Sequence, residues 1–201
     1  MKQIPPRHVI RTPDQIRALR SAARQEIIDT LQAIGTATVP ELAERLGRRP
    51  DGLYYHVKAL LDVDLVRVVA SRKNGRHVET VYATCAPDSS LHLHYAPEDA
   101  ENTEAITELV DSMTRAAARD FRAGFSAPGA EVGGPRRNIR ASRAVGWLTL
   151  EELEQANSLL EALLALFNRP NNAGPGKQLY TLTALLSRTR AQRNVNDQDE
   201  A

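Results

Sequence analysis

The sequence predicts a mainly α chain carrying one β-hairpin: a bundle of helices and the hairpin in the N-terminal part, and a separate α+β region after it. Three observations lead there. Apolar residues recur at helical spacing from Ile16 to Ile34, again through Leu42, Ala43 and Leu46, and again through Leu53, Val57, Leu60 and Leu61. From Leu65 to Cys85 apolar and polar residues alternate on both sides of Asn74-Gly75, a dipeptide suited to a type I′ hairpin turn. Beyond a turn-rich stretch, two more helical stripes follow, at 101–122 and after Thr149.

The chain has 201 residues, enough for two modest modules with a hydrophobic core of their own. No apolar run approaches the roughly 20 residues needed to cross a bilayer, and the opening MKQIPPRHVIRTPD lacks the apolar core of a signal peptide. A soluble, cytoplasmic protein is expected, with no membrane partner. The single cysteine, Cys85, excludes an internal disulfide framework and agrees with a reducing compartment. The formal charge of +1 hides an asymmetry. Residues 1–83 hold 14 Lys+Arg against 9 Asp+Glu, whereas residues 84–201 hold 12 against 16. A basic half joined to an acidic half suits a nucleic-acid module linked to a partner-facing one.

Taken in order, Thr12, Pro13 and Gln15 mark a helix start, and Ile16, Leu19, Ala23, Ile27, Leu31 and Ile34 carry one long supporting helix to Gly35. Thr38 and Glu41 form a capping box for a second helix, and Gly47 turns the chain into a third, from about Pro50 to Val63. That third helix has two differently used faces. Leu53, Val57, Leu60 and Leu61 pack, while Asp51, Tyr54, Tyr55 and Lys58 line up on another side. Arg48 and Arg49 precede it, so positive charge joins the free N–H groups that bind phosphate at a helix start. The hairpin tip gathers Arg72, Lys73, Arg76 and His77 on a projection able to meet a phosphate backbone. His56, between the two faces, is expected to pack or hydrogen-bond rather than read a base.

Residues 86–100 form a linker with a short strand expected at Leu91–Tyr95. A helix over 101–122 with Ile106, Leu109, Val110, Met113, Ala117 and Phe121 on one stripe should pack on another helix or subunit. SAPGAEVGGP breaks the chain. Thr149 and Glu152 cap a last helix, whose buried side is expected at Leu150, Leu153, Leu160, Leu163, Leu164 and Phe167. QLYTLTALL, pairing with a strand around Asn138–Trp147, would complete a small α+β unit ending at 187, and the polar residues 188–201 are expected to be disordered.

Helix, capped helix with VPELAERLG, glycine turn, LYYHVKALL and LV, then a basic-tipped hairpin: over residues 12–85 this order resembles the ArsR-like winged helix-turn-helix transcription regulators. His56-Val57 stands where the family shows His-Leu, and Asp64 stands where the family usually has glycine. Aspartate tolerates the left-handed conformation, so the turn is expected to survive. The resemblance implies a homodimer on an inverted repeat of double-stranded DNA, acting as a repressor, with one reader helix per major groove and 101–187 as a dimerisation or effector region. Two reader helices about 34–36 Å apart would combine their affinities and favour palindromic sites. Candidate DNA contacts are Arg48, Arg49, Asp51, Tyr54, Tyr55, Lys58, Arg72, Lys73 and Arg76.

Other functions have thinner support. Cys85, His92 and His94 share the linker and are weak metal candidates, but the family's metal sensors carry cysteine pairs near the reader helix or histidine and acid sets on the terminal helix, and neither pattern occurs. No cofactor is expected. The same three residues could in principle form a nucleophile and base, yet a linker holds groups poorly and no glycine elbow, phosphate loop or carboxylate pair accompanies them; no enzyme is expected. A small-molecule effector near the C-terminal region is a further candidate partner, with Trp147 and Tyr180 either lining its pocket or buried in a core. Arg136, Arg137, Arg140 and Arg143 are either an anion-binding set or a solvated strand face. The main alternative to a DNA reader is a winged-helix module that docks proteins.

Overall fold

The computed structural model describes residues 7–75, 77–87, 90–168 and 174–189. Arg76 of the hairpin tip and the tail from 190 lie outside them. The element order is β1 (Arg7–Ile10), α1 (Pro13–Ala18), α2 (Ala22–Ile34), β2 (Thr36–Thr38), α3 (Val39–Leu46), α4 (Pro50–Leu61), β3 (Val66–Asn74), β4 (His77–Thr84), β5 (Ser90–Leu93), α5 (Ala100–Phe125) and α6 (Leu150–Phe167). β2, β4 and β3 form an antiparallel sheet in that order, and β1 pairs with β5 in parallel. The N-terminal part is a winged helix-turn-helix.

The helical periods point at one core. Ile16, Ile27, Leu31, Leu42, Leu53, Val57, Leu60 and Leu65 are essentially inaccessible to water and belong to one cluster. Ala105 and Leu109 of α5 join the same cluster, which seats α5 against α1. At about 25 cal/mol per Å2 of apolar surface, burying a side chain of this size contributes roughly 1.5–3 kcal/mol, so these residues dominate the stability of the fold.

Both tight turns of the helix-turn-helix close the same way. After α3, Gly47 adopts φ 60°, its N–H bonds the Glu44 carbonyl and the Arg48 N–H bonds that of Ala43. After α4, Asp64 adopts φ 58°, its N–H bonds the Leu61 carbonyl and the Leu65 N–H bonds that of Leu60. This pairing satisfies carbonyls that a helix end leaves orphaned, and it requires a left-handed residue. Asp64 fills it without being glycine, as expected.

Several expectations need correction. The long first helix is two, α1 and α2, because the chain turns at Leu19–Ser21. The Arg20 carbonyl exposed by that turn accepts a hydrogen bond from Ser112 Oγ of α5 at 2.7 Å, so a contact distant in sequence supports the break. In the hairpin Asn74 still pairs with His77, so Asn74 belongs to β3 and the left-handed Gly75, at φ 60°, is the first residue of the two-residue turn rather than its second, as an Asn74-Gly75 turn would have it. Residues 138–147 and 178–186 are not strands; beyond β5 the regular elements among the described residues are α5 and α6. α6 has its capping box, with Thr149 Oγ1 accepting from Glu152 N at 3.2 Å, but no residue of it is buried: Leu150 is 76% exposed, and Leu153, Leu163 and Phe167 are exposed too.

Candidate nucleic-acid interface

α4 has a packed side and an open one. Leu53, Val57 and Leu60 are 0–1% exposed, whereas Tyr54 and Tyr55 are 52% and 71% exposed and Asp51 and Lys58 are open beside them. Arg49 occupies the cap position and its side chain makes no cap bond, so the first backbone N–H groups of α4 stay available as donors. Pro50 begins the helix, where its missing N–H costs nothing. Anions are favoured at such an end by the free donors and by the helix dipole.

The wing lies next to this helix. Val39 and Pro40 of α3, Tyr54 of α4 and Val78 and Tyr82 of β4 line a cleft of about 450 Å3. Val68, Val69 and Val78 face water on the hairpin, as do Arg72 and Lys73.

The predicted cations divide into two groups. Arg48 is held: its Nη2 lies 2.6 Å from Glu26 of α2, and its Nε donates to the same carboxylate at 2.9 Å. Arg72 is held by Glu41, at 2.5 Å from Oε1. Lys58 reaches Asp62 at 3.5 Å, one helical turn on, with both ends well exposed. Arg49 and Lys73 have no ion-pair partner among the described residues, and Arg76 lies outside them. Backbone and side-chain geometry thus bring Arg48, Arg49, Asp51, Tyr54, Tyr55 and Lys58 to one helix, with Arg72 and Lys73 on the wing beside it.

The arginine pairs of Glu26 and Glu41 were not anticipated, since each acid meets its arginine across 22 to 31 residues of sequence with no local signal. Glu26 also takes Arg119 of α5 at 2.8 Å. Glu41 does two tasks: its Oε2 accepts the Thr38 N–H at 2.8 Å in the capping box while Oε1 takes Arg72. That backbone N–H above all, and then Arg72, hold its carboxyl below the usual carboxylate range. His56 is half-buried, stacked edge-on against Tyr55 at 5.3 Å, and burial, then Arg24 and Arg48, lower its pKa, so it is neutral at pH 7. Its Nδ1 lacks a hydrogen-bond partner, as does Arg24 Nε.

The linker candidates do not converge. Among the described residues no three His, Cys, Asp or Glu side chains are placed to share a metal. Burial pushes the Cys85 thiol up, which makes it a poor nucleophile. β5 is spent on pairing: His92 stands opposite Val9, and the His94 N–H bonds the Ile10 carbonyl at 2.9 Å while its own carbonyl accepts from Asn102 Nδ2 at 3.1 Å. Trp147 is 73% exposed and belongs to no core, whereas Tyr180 lines a cavity. Among the described residues no helix is long and apolar enough to cross a membrane.

Residues 19–69 match the family described as helix-turn-helix domain. The chain is similar to a solved double mutant of Lactococcus lactis ZitR, at 14% identity over 73% of this chain and 75% of that one, with a TM-score of 0.29. It is also similar to the YusO protein from Bacillus subtilis, at 16% identity over 76% of this chain and 82% of that one, TM-score 0.29. No curated protein matches.

Proposed function

We propose that this chain is a sequence-specific double-stranded-DNA-binding transcription regulator of the ArsR-like kind, a cytoplasmic homodimer that reads an inverted repeat and represses by occupying it. One observation carries this reading: α4 is anchored in the core by Leu53, Val57 and Leu60 and presents Tyr54, Tyr55, Lys58, Arg49 and free N–H groups together on its open side. Tyrosines stack on or hydrogen-bond to bases and sugars, and the cations meet phosphate. Lys73 and Arg72 on the wing extend the phosphate track. The helix-turn-helix match over 19–69 supports the same assignment.

A dimer follows from the economy of contact. One helix with few reading side chains discriminates weakly, and two at a fixed separation multiply affinity and select palindromes. Selection of duplexes from a random pool by the purified full chain tests class, symmetry and spacing at once. A palindromic winner with half-sites one or two helical turns apart is the expected result; no retention of any duplex at low salt, where phosphate contacts are strongest, refutes the proposal. Loss of reporter output on binding upstream of a promoter tests repression.

A protein-docking role is the second reading, favoured by the apolar exposure of Tyr54, Tyr55, Val68, Val69 and Val78. Alanine at Tyr54, Tyr55 and Lys58 separates the two: duplex binding that survives the triple change argues for docking.

A further inference from the structure

We propose that the cavity between α2, the C-terminal end of α5 and α6 binds a small organic cation with an apolar body, and that Glu26 passes its occupancy to the reader helix through Arg48. The cavity measures about 370 Å3, within the range of small-ligand sites. Leu46, Leu164, Phe167 and Leu182 supply apolar wall, and Glu26, Asp29 and Asp120 supply negative charge. No lysine or arginine is among its described lining residues. An apolar, one-signed pocket selects against anions and rewards a cation that brings its own hydrocarbon.

Asp29 is the group that lacks a partner. It makes no hydrogen bond or ion pair among the described residues, while Glu26 has Arg48 and Arg119, and Asp120 has Arg119 at 2.9 Å. Burial, then Glu26 and Asp120, push its carboxyl up to about 6. Asp29 is itself exposed to water, and the like charges of Glu26 and Asp120 repel its carboxylate there. A bound cation relieves that repulsion. Among the described lining residues, the charged and titratable groups facing Asp29 are Glu26 of α2 and Asp120 of α5, with Arg48 and Arg119 behind Glu26; α6 and residues 179–182 bring the phenol of Tyr180.

Coupling follows from Glu26, which belongs to both places. It lines the cavity and holds Arg48, the residue next to the cap of α4. A cation beside Glu26 competes with Arg48 for its carboxylate and releases Arg48 toward phosphate. Linkage makes the effect mutual: DNA that draws Arg48 away must tighten the cation by the same factor. This second half rests on the DNA-binding proposal above; cation binding does not.

The probe is benzyltrimethylammonium, a permanent cation on an aromatic body, with 4-tert-butylbenzoate as the anionic counterpart, titrated calorimetrically into the full chain. Saturable binding of the cation alone is expected, with affinity rising as pH increases through about 6 as Asp29 ionises. Asp29→Asn should weaken it about tenfold and flatten that pH profile, and Asp120→Asn should weaken it without flattening. Equal binding of both probes, no saturable binding, or an unaltered cation affinity in both variants overturns the site. With a selected duplex, saturating cation should raise DNA affinity several-fold in the native chain and not in Glu26→Gln. Cation binding that leaves DNA affinity unchanged or lowers it in the native chain overturns the coupling and leaves the DNA-binding proposal standing.

Discussion

Tyr55→Ala separates recognition from folding. With 71% of the residue open to water, truncating Tyr55 removes little burial, and surface changes of this kind alter stability by within about 0.5 kcal/mol. In the complex the same ring would lie against a base or sugar, a contact of about 1–3 kcal/mol. A dimer makes it twice at well-separated places, so the losses add to about 2–6 kcal/mol, at least roughly 30-fold in affinity. Fluorescence anisotropy with the selected duplex reads the affinity, and circular dichroism melting reads the fold. A melting temperature that falls while affinity holds would place Tyr55 in the scaffold and refute the two-faced account of α4.

Further outcomes are expected from neighbouring positions. Lys73→Ala should weaken all duplexes alike and reduce the slope of log affinity against log salt by about 0.9 per protomer, read from anisotropy at several salt concentrations. Asp64→Gly should raise stability by about 0.5–1 kcal/mol in urea unfolding, because φ 58° strains a residue bearing a Cβ and suits glycine. Leu60→Ala should cost about 2–5 kcal/mol in the same assay, since Leu60 is wholly enclosed by the core. Glu41 gives a pH signature. Its native carboxyl titrates below the unfolded value, so the unfolded chain takes up the proton first as pH drops; the stability it adds is complete above the unfolded carboxylate pKa and is lost as pH falls through the native one. Glu41→Gln should therefore lower the urea midpoint at pH 7 and shrink its fall between pH 7 and pH 3.

The parts of the fold written locally in the sequence were legible there. The Thr38–Glu41 box, the two faces of α4, the basic hairpin and the left-handed Asp64 each depend on residues a few positions apart. What was not legible depends on distant contacts. The turn between α1 and α2 interrupts no apolar period and is supported by Ser112, 92 residues from Arg20. β1 forms only by lying parallel to β5, whose register joins Arg7 to Ser90. Residues 178–186 show the converse failure: threonine, tyrosine and leucine favour a pleated surface, but a strand needs a neighbour to bond, and the expected one at 138–147 is not a strand either. α6 carries a core-like leucine stripe that nothing in the described chain covers, so its periodicity identified a helix correctly and a burial incorrectly.

The candidate interface shows why counting cations along a sequence was insufficient. Arg48 and Arg72 are paired in the free protein, which at first looks like competition against DNA. Both pairs are more than a third exposed at the arginine, however, and pairs of that kind are worth about 0–1 kcal/mol, less than a charge-assisted contact to phosphate. Each acid, moreover, keeps another partner when its arginine leaves: Glu41 retains the Thr38 N–H at 2.8 Å, and Glu26 retains Arg119 at 2.8 Å. Transfer to phosphate therefore strands no carboxylate and leaves the α3 cap intact. The pairs keep two long side chains near the candidate interface, and the small cost of opening them is exceeded by the phosphate contact. Of the two, Arg48 alone shares its acid with the α2–α5 cavity, so any ligand there should act on the helix start and not on the wing.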